Sequence, residues 1–243
     1  MSARPFIVAI DGPAGAGKST VSRLLARRLD FSLVDTGAIY RCVALTASRE
    51  GVAYDDDAGL QELLGRLQLS FKVVGEENRV FLGTEDVSGQ IRAPGISMGA
   101  SKVSERPVVR QGLLALQRRL ALGSSKGAIL EGRDIGTVVF PDADAKFYLH
   151  AKADIRARRR YEELFQKGVD NTLEDVLADQ DQRDKQDSTR VIAPLKAAED
   201  AILIDSSSMP VSEVVRMIEK LVRERMDASG ASGAGDEHAE HRR

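Results

Sequence analysis

The sequence has few of the residues that stabilise extracellular and membrane proteins. Cys42 is the one cysteine among 243 residues, which excludes an internal disulfide bond and a zinc site built from several cysteines. Tryptophan is absent and aromatic residues make up 5% of the chain, too few to favour a surface that stacks nucleic-acid bases. No apolar run approaches the roughly 18–20 residues of a membrane span. We therefore expect a cytoplasmic protein that binds no membrane.

An excess of one charge is also missing. The chain carries 35 Lys and Arg against 37 Asp and Glu, a formal net charge of −2. Such a chain has no overall field that would attract nucleic acid or an anionic membrane. Any anion must therefore be bound by a local cluster of positive side chains.

Short apolar strands alternate with amphipathic helices, which predicts a doubly wound α/β fold: a parallel sheet with helices on both faces. The predicted strands are 5–10, 31–35, 127–131, 145–150 and 201–205. One helix follows the first strand, and the others are predicted at 36–50 with Thr36 as N-cap, 107–122, 153–168 closed by Gly168, 172–185 and 211–226. Residues 227–243 have almost no apolar content and are predicted to be a disordered tail.

A predicted hairpin interrupts this alternation. Residues 69–74 and 79–83 read as strands, and the four polar residues between them read as their turn. A hairpin inside a parallel series indicates an insert, placed at about 60–105, on a core formed by 1–59 and 106–226.

A glycine-rich turn, "IDGPAGAGKST", follows the first strand. Its Gly-x-x-x-x-Gly-Lys-Ser spacing matches the phosphate-binding loop, or P-loop, whose backbone N–H groups surround an anion at a helix N-terminus. Lys18 would reach the β- and γ-phosphates as a catalytic charge, and the Ser19 hydroxyl would coordinate Mg²⁺. The predicted ATP-binding residues are Gly12, Pro13, Ala14, Gly15, Ala16, Gly17, Lys18, Ser19 and Thr20.

The loop alone does not distinguish a kinase from a GTPase or a motor ATPase. A GTPase needs an Asn-Lys-x-Asp motif, and neither Asn78 nor Asn171 is followed by Lys. A motor ATPase needs an apolar strand that ends in Asp-Glu, whereas the strand at 201–205 ends in Asp-Ser. A small-molecule kinase is therefore favoured by elimination.

Arginines in four separate segments indicate the kind of acceptor. A kinase whose acceptor is itself a phosphate must overcome repulsion between two anions, and arginine grips phosphate oxygens bidentately. The candidates are Arg41; Arg133 with Asp134, just past a core strand; Arg183, Asp187 and Arg190 at a helix end; and Arg156, Arg159 and Arg160 on one face of the 153–168 helix.

Five motifs resemble those of bacterial cytidylate kinases over about residues 5–222. They are "IDGPAGAGKST", "DTGAIYR", "EDVSGQIR", "EGRDIGTVVFPDA" and "RVIAPLKAAEDAILIDSS". The resemblance implies ATP- and Mg²⁺-dependent phosphorylation of CMP and dCMP in pyrimidine nucleotide metabolism, by a monomer. It also implies a P-loop core, a small helical lid at about 153–170, and a nucleoside-monophosphate-binding insert that contains an antiparallel sheet.

The resemblance also implies roles for individual residues. Arg41, Arg133 and Arg190 would hold the CMP phosphate; Ser101, Arg110 and Asp134 would read the cytosine; Arg183 and Asp187 would contact the sugar; Thr36 and Tyr40 would complete the substrate site; and Arg156, Arg159 and Arg160 would close over the ATP phosphates. Glu131 stands where some relatives have Asp, and no role follows for it.

Two alternatives remain beside this interpretation. The acceptor of the kinase could be UMP, AMP or a non-nucleotide such as shikimate, which rates on those acceptors would distinguish. A nucleic-acid-binding module that uses the arginines at 156–160 is disfavoured by the near-neutral charge and the few aromatic residues.

Overall fold

The computed structural model describes residues 4–75, 77–166 and 168–233. The strands are β1 (Phe6–Asp11), β2 (Ser32–Asp35), β3 (Leu69–Val74), β4 (Glu77–Leu82), β5 (Glu85–Asp86), β6 (Gly127–Gly132), β7 (Ala145–His150) and β8 (Ile202–Asp205). The helices are α1 (Lys18–Leu29), α2 (Thr36–Glu50), α3 (Asp57–Arg66), α4 (Pro94–Ser104), α5 (Pro107–Leu122), α6 (Ala153–Gln166), α7 (Leu173–Thr189) and α8 (Val211–Gly233), with a 3₁₀ turn at Gln90–Arg92 and a π-helix at Ile135–Val139.

The core is a five-stranded parallel sheet in the order β2-β6-β1-β7-β8. Along β1, Ile7 and Ala9 face one hydrophobic cluster, whereas Val8 and Ile10 face a second. The first cluster includes apolar residues of α2 and α5, and the second includes those of α1 and α8. Alternate residues of a strand point to opposite faces, so both faces of this sheet are buried. The predicted doubly wound α/β fold is confirmed.

The insert contains more regular structure than the hairpin alone. Strands β3, β4 and β5 form an antiparallel sheet, and α3 and α4, which the sequence analysis did not identify, flank it. The pairing of β3 with β4 extends to Val74 opposite Glu77. Only two residues therefore connect the strands, where a four-residue turn was predicted. Polar residues 77 and 78 belong to the ladder because backbone groups, rather than side chains, make its hydrogen bonds.

Three helix ends differ from the predictions. The N-cap of α2 is Asp35, whose carboxylate accepts a hydrogen bond from Ala38 N at 2.9 Å; Thr36 is the first helical residue. Helix α7 ends at Thr189, four residues later than predicted. Helix α8 continues to Gly233, where disorder was predicted from 227, since low apolar content reduces burial without preventing helix formation. Residues 234–243 of the predicted tail lie outside the described residues. None of the described helices is long and apolar enough to cross a membrane.

Candidate active site

The P-loop begins where β1, the central strand, ends. Gly12 has a φ of 146°, and a Cβ there would lie 1.9 Å from the carbonyl oxygen of Leu149. Gly17 has a φ of 90° and is the N-cap of α1. Both positions exclude side chains, the first by contact and both by backbone conformation. Residues 12–17 therefore form the loop, and Lys18, Ser19 and Thr20 form the first turn of α1.

Lys18 bonds to the P-loop itself, whereas Ser19 bonds to the neighbouring strand β6. Lys18 is buried, and its Nζ donates a hydrogen bond to the carbonyl oxygen of Pro13 at 2.7 Å. Burial, and after it the charge of Arg133, lowers the pKa of Lys18. Ser19 Oγ donates to Glu131 Oε2 at 2.9 Å. A bound phosphate would raise this pKa, because a neighbouring negative charge favours the charged form of lysine.

Glu131 joins β6 to the P-loop. Its side chain is buried, and burial, followed by the charge of Asp35, raises its pKa. Its backbone oxygen accepts a hydrogen bond from Thr36 Oγ1 at 2.7 Å. The Ser19 hydroxyl and the Glu131 carboxylate together present hard oxygen atoms, which fit Mg²⁺.

Asp134 forms a buried ion pair with Arg110 of α5. The guanidinium group of Arg110 also lies over the ring of Tyr40, 5.7 Å from its centre, and donates to the carbonyl oxygen of Ser104 at 3.1 Å. Three elements far apart in the sequence thus place an acceptor and a donor of hydrogen bonds side by side.

Asp187 of α7 brings two of the predicted phosphate-binding arginines together. Arg133 Nε donates to Asp187 Oδ2 at 2.7 Å, and Arg190 Nη1 lies 3.5 Å from Asp187 Oδ1. Arg190 Nε donates to the carbonyl oxygen of Ala193 at 2.7 Å. Its Nη2 is buried with no hydrogen-bond partner in the described part of the chain. One nitrogen of Arg190 is therefore available to a ligand.

Three further residues were predicted to contact the substrate: Arg41, Arg183 and Ser101. Arg41 and Arg183 are partly buried, and neither has a hydrogen-bonded or ion-paired partner among the described residues. Burial, and after it the charge of Arg160, lowers the pKa of Arg183. Ser101 Oγ donates to Gln186 Oε1 at 3.3 Å, which connects α4 of the insert with α7. The two unpaired guanidinium groups would be compensated by an anion.

The guanidinium groups of the three α6 arginines bond to different parts of the protein. Arg156 is buried, donates to the carbonyl oxygens of Ala14 and Ala151 at 2.9 Å each, and pairs with Asp184 at 2.7 Å. Arg159 Nη2 donates to the carbonyl oxygen of Ser206 at 2.7 Å. Arg160 pairs at the surface with Glu163 at 2.8 Å. Their helical spacing brings them to one side of α6, but their guanidinium groups do not converge.

Asp11 is the site residue that sequence reasoning missed. It is 3% exposed, and its two carboxylate oxygens accept hydrogen bonds from Ile135 N and Gly136 N, each at 2.8 Å. Burial raises its pKa to about 6 against the opposing effect of these two N–H groups. The available signal was a carboxylate at the end of an otherwise apolar strand, immediately before the P-loop.

Comparison with known proteins agrees over most of the chain. A family model described as cytidylate kinase matches residues 8–224. A cytidylate kinase of Geobacter sp. (strain M21) is 54% identical over 227 residues, which cover 93% of this chain and 96% of that protein. Cytidylate kinases of Geobacter sulfurreducens and Pelotomaculum thermopropionicum are 51% and 50% identical, covering 93% and 87% of this chain and 96% and 93% of theirs.

Proposed function

The chain belongs to the cytidylate kinase family and is an enzyme that phosphorylates CMP with ATP; we propose how its residues divide this task. The family predicted from the sequence motifs is confirmed by the comparisons. In the proposed reaction an oxygen of the CMP phosphate bonds to the γ-phosphorus of ATP while the bond from that phosphorus to the β-γ bridging oxygen breaks. The products are CDP and ADP, and dCMP gives dCDP at the same site.

The donor side consists of the P-loop and the start of α1. The backbone N–H groups of 14–20 surround the ATP phosphates, and Lys18 exchanges its bond to the Pro13 oxygen for the β- and γ-phosphates. Mg²⁺ would be held through the Ser19 hydroxyl, with Glu131 beside it. When bound, the metal neutralises phosphate charge.

The acceptor side consists of the arginines and Asp187. Arg41, Arg133 and Arg190 hold the CMP phosphate: Arg41 has no partner among the described residues, and Arg190 keeps Nη2 free of one, so their guanidinium groups can donate to its oxygens. Arg183 and Asp187 contact the sugar. Thr36 and Tyr40 line the same region from α2.

The base is read by a donor and an acceptor held together. Asp134 accepts a hydrogen bond from the exocyclic N4 amine of cytosine, and Arg110 donates to O2 and N3, with Ser101 beside them. Uracil presents an oxygen where cytosine has N4, so the Asp134 carboxylate would face another acceptor. The unpaired carboxylate disfavours UMP.

The outer parts of the molecule would close over both substrates. We assign 153–170 as a lid whose residues Arg156, Arg159 and Arg160 approach the ATP phosphates, and 60–105 as the nucleoside-monophosphate-binding domain. A monomer in the cytoplasm, acting in pyrimidine nucleotide metabolism, is consistent with these assignments.

The Arg110–Asp134 pair is the observation that carries the base-reading proposal, because both groups are buried and adjacent. The test is initial rates with ATP and Mg²⁺ and with CMP, dCMP, UMP or AMP at matched concentrations. We expect fast phosphorylation of CMP and dCMP, and phosphorylation of UMP that is about 5–150 times slower, which corresponds to the 1–3 kcal/mol of an unpaired buried polar group. Comparable rates on UMP would contradict the assignment of Asp134.

A further inference from the structure

We infer that Asp11 is a positioning residue for recognition of the acceptor: its carboxylate holds the backbone that carries Arg133 and Asp134. The inference rests on the proposed base-reading role of Asp134. It assigns to the last residue of β1 a task on the CMP side of the site, although the next residue begins the ATP-binding loop.

The geometry is that of a two-point attachment. One carboxylate oxygen of Asp11 accepts from Ile135 N and the other from Gly136 N, both at 2.8 Å. In the parallel sheet Asp11 aligns with Gly132 of β6 on one side and with Tyr148 of β7 on the other. The carboxylate therefore projects from the centre of the sheet into the segment that follows β6.

That segment needs an external attachment because its own structure leaves backbone donors free. Strand β6 ends at Gly132 and the π-helix begins at Ile135. The first N–H groups of a helix have no partner within the helix. Asp134, between the two elements, has φ −144° and ψ 26°, outside helix and strand geometry. Arg133 and Asp134 are thus held by β6 on one side and by Asp11 on the other.

The burial of Asp11 supports this role. The carboxylate is 3% exposed; the charge of Asp134 opposes its ionisation, and the charge of Lys18 favours it. A buried carboxylate is unfavourable unless its oxygens are hydrogen-bonded, and here two N–H groups of the acceptor segment supply those bonds. The same residue therefore fixes the distance between the P-loop and the base-reading side chain.

The test is the Asp11→Asn variant, measured in steady state with CMP, UMP and ATP beside wild type and Asp134→Ala. The amide oxygen of Asn can accept from one N–H, but its NH₂ group opposes the other. We expect the ratio of kcat/KM for CMP to that for UMP to fall about tenfold, with KM for ATP within about threefold of wild type.

Asp144→Asn is the matched control. Asp144 Oδ2 accepts a hydrogen bond from Ile7 N at 2.6 Å. Like Asp11, it is a carboxylate that holds a backbone N–H, but its bond is at the other end of β1, away from the acceptor segment. We expect Asp144→Asn to leave the CMP-to-UMP ratio within about twofold of wild type. An equal loss in both variants would show a general effect of destabilisation and overturn the inference.

The Asp134→Ala variant distinguishes failure of the base-reading proposal from failure of the positioning role of Asp11. If Asp134→Ala keeps wild-type selectivity, the base-reading proposal fails. If Asp134→Ala loses selectivity while Asp11→Asn keeps it, the positioning role fails. Should Asp11→Asn not fold, amide hydrogen exchange of the nucleotide-free wild type decides: slow exchange at residues 135 and 136 supports the attachment, and exchange as fast as in an exposed loop overturns it.

Discussion

Charged residues at the carboxyl ends of the core strands differ in burial from those on helix α6. At the edge, the side chains of Arg110 and Asp134 are 8% and 10% exposed and bond each other. On α6, Arg160 and its partner Glu163 are 38% and 48% exposed. We call Asp11, Lys18, Glu131, Arg133 and Asp134 the edge site.

The difference in burial indicates two different roles for these charged groups. Groups in the edge site are already oriented by buried or partly buried hydrogen bonds, so they can stabilise charge without rearranging when the substrates bind. The surface contact of Arg160 is weak enough for phosphate oxygens to replace it. Arg156 is the exception in α6, because it is buried and bonded to the P-loop.

The largest effect on activity is expected from replacing Lys18, the lysine of the edge site. Lys18→Ala removes the lysine that we assign to the β- and γ-phosphates, and we expect kcat to fall about 10²–10³-fold, as for loss of a preorganised donor. Thermal unfolding should show that the fold persists. Lys126→Ala is the control, because Lys126 pairs with Asp30 at the exposed surface; its kcat should match wild type. Near-normal turnover of Lys18→Ala would refute the loop assignment.

The second effect is a pH dependence that belongs to the edge site. The pKa of Asp11 is about 6 in the folded protein against an ordinary 3.8, so the folded protein keeps this proton longer than the unfolded chain. Its contribution to stability is therefore present below about pH 4 and is lost as the pH rises through 6. At 1.36 kcal/mol per pKa unit the loss is about 3 kcal/mol.

Denaturant unfolding of wild type and Asp11→Asn at pH 4 and pH 7 measures this effect. Subtracting the two proteins removes contributions they share, such as that of Glu131. We expect the free energy of unfolding of Asp11→Asn to gain about 2 kcal/mol relative to wild type between the two pH values, because part of the contribution is already lost at pH 4. Parallel curves would contradict the raised pKa of Asp11.

The smallest effect is a difference in thermal stability between two arginine variants of α6. Arg156→Ala leaves the carboxylate of Asp184, 24% exposed, without its partner. We expect a loss of about 2 kcal/mol, below the 3–5 kcal/mol of a fully buried pair, and a Tm lower by about 4–8 °C. Arg159→Ala, whose side chain bonds Ser206, should change Tm by less than about 2 °C while lowering kcat. Equal Tm values for the two variants would remove the distinction between them.

Sequence reasoning succeeded where the information is local. The P-loop follows from six residues whose glycines are required by their own backbone conformation. The core strands follow from short apolar runs, and their observed ends differ by one residue or fewer. It was less successful at α3 and α4, two short helices that pack mainly on α5 and α2, and at the end of α8, where a helix with little burial leaves little pattern.

The sequence by itself determined the core strands and the helices between them, the phosphate loop and the family. Each of these depends on neighbouring residues, or on motifs that can be read one after another. Only the tertiary structure decided that Asp11 holds Ile135 and Gly136, and that Asp187 joins Arg133 to Arg190. The residues of the first contact are at least 124 positions apart. Such contacts depend on which strand ends become neighbours in the sheet, and no local periodicity encodes that adjacency.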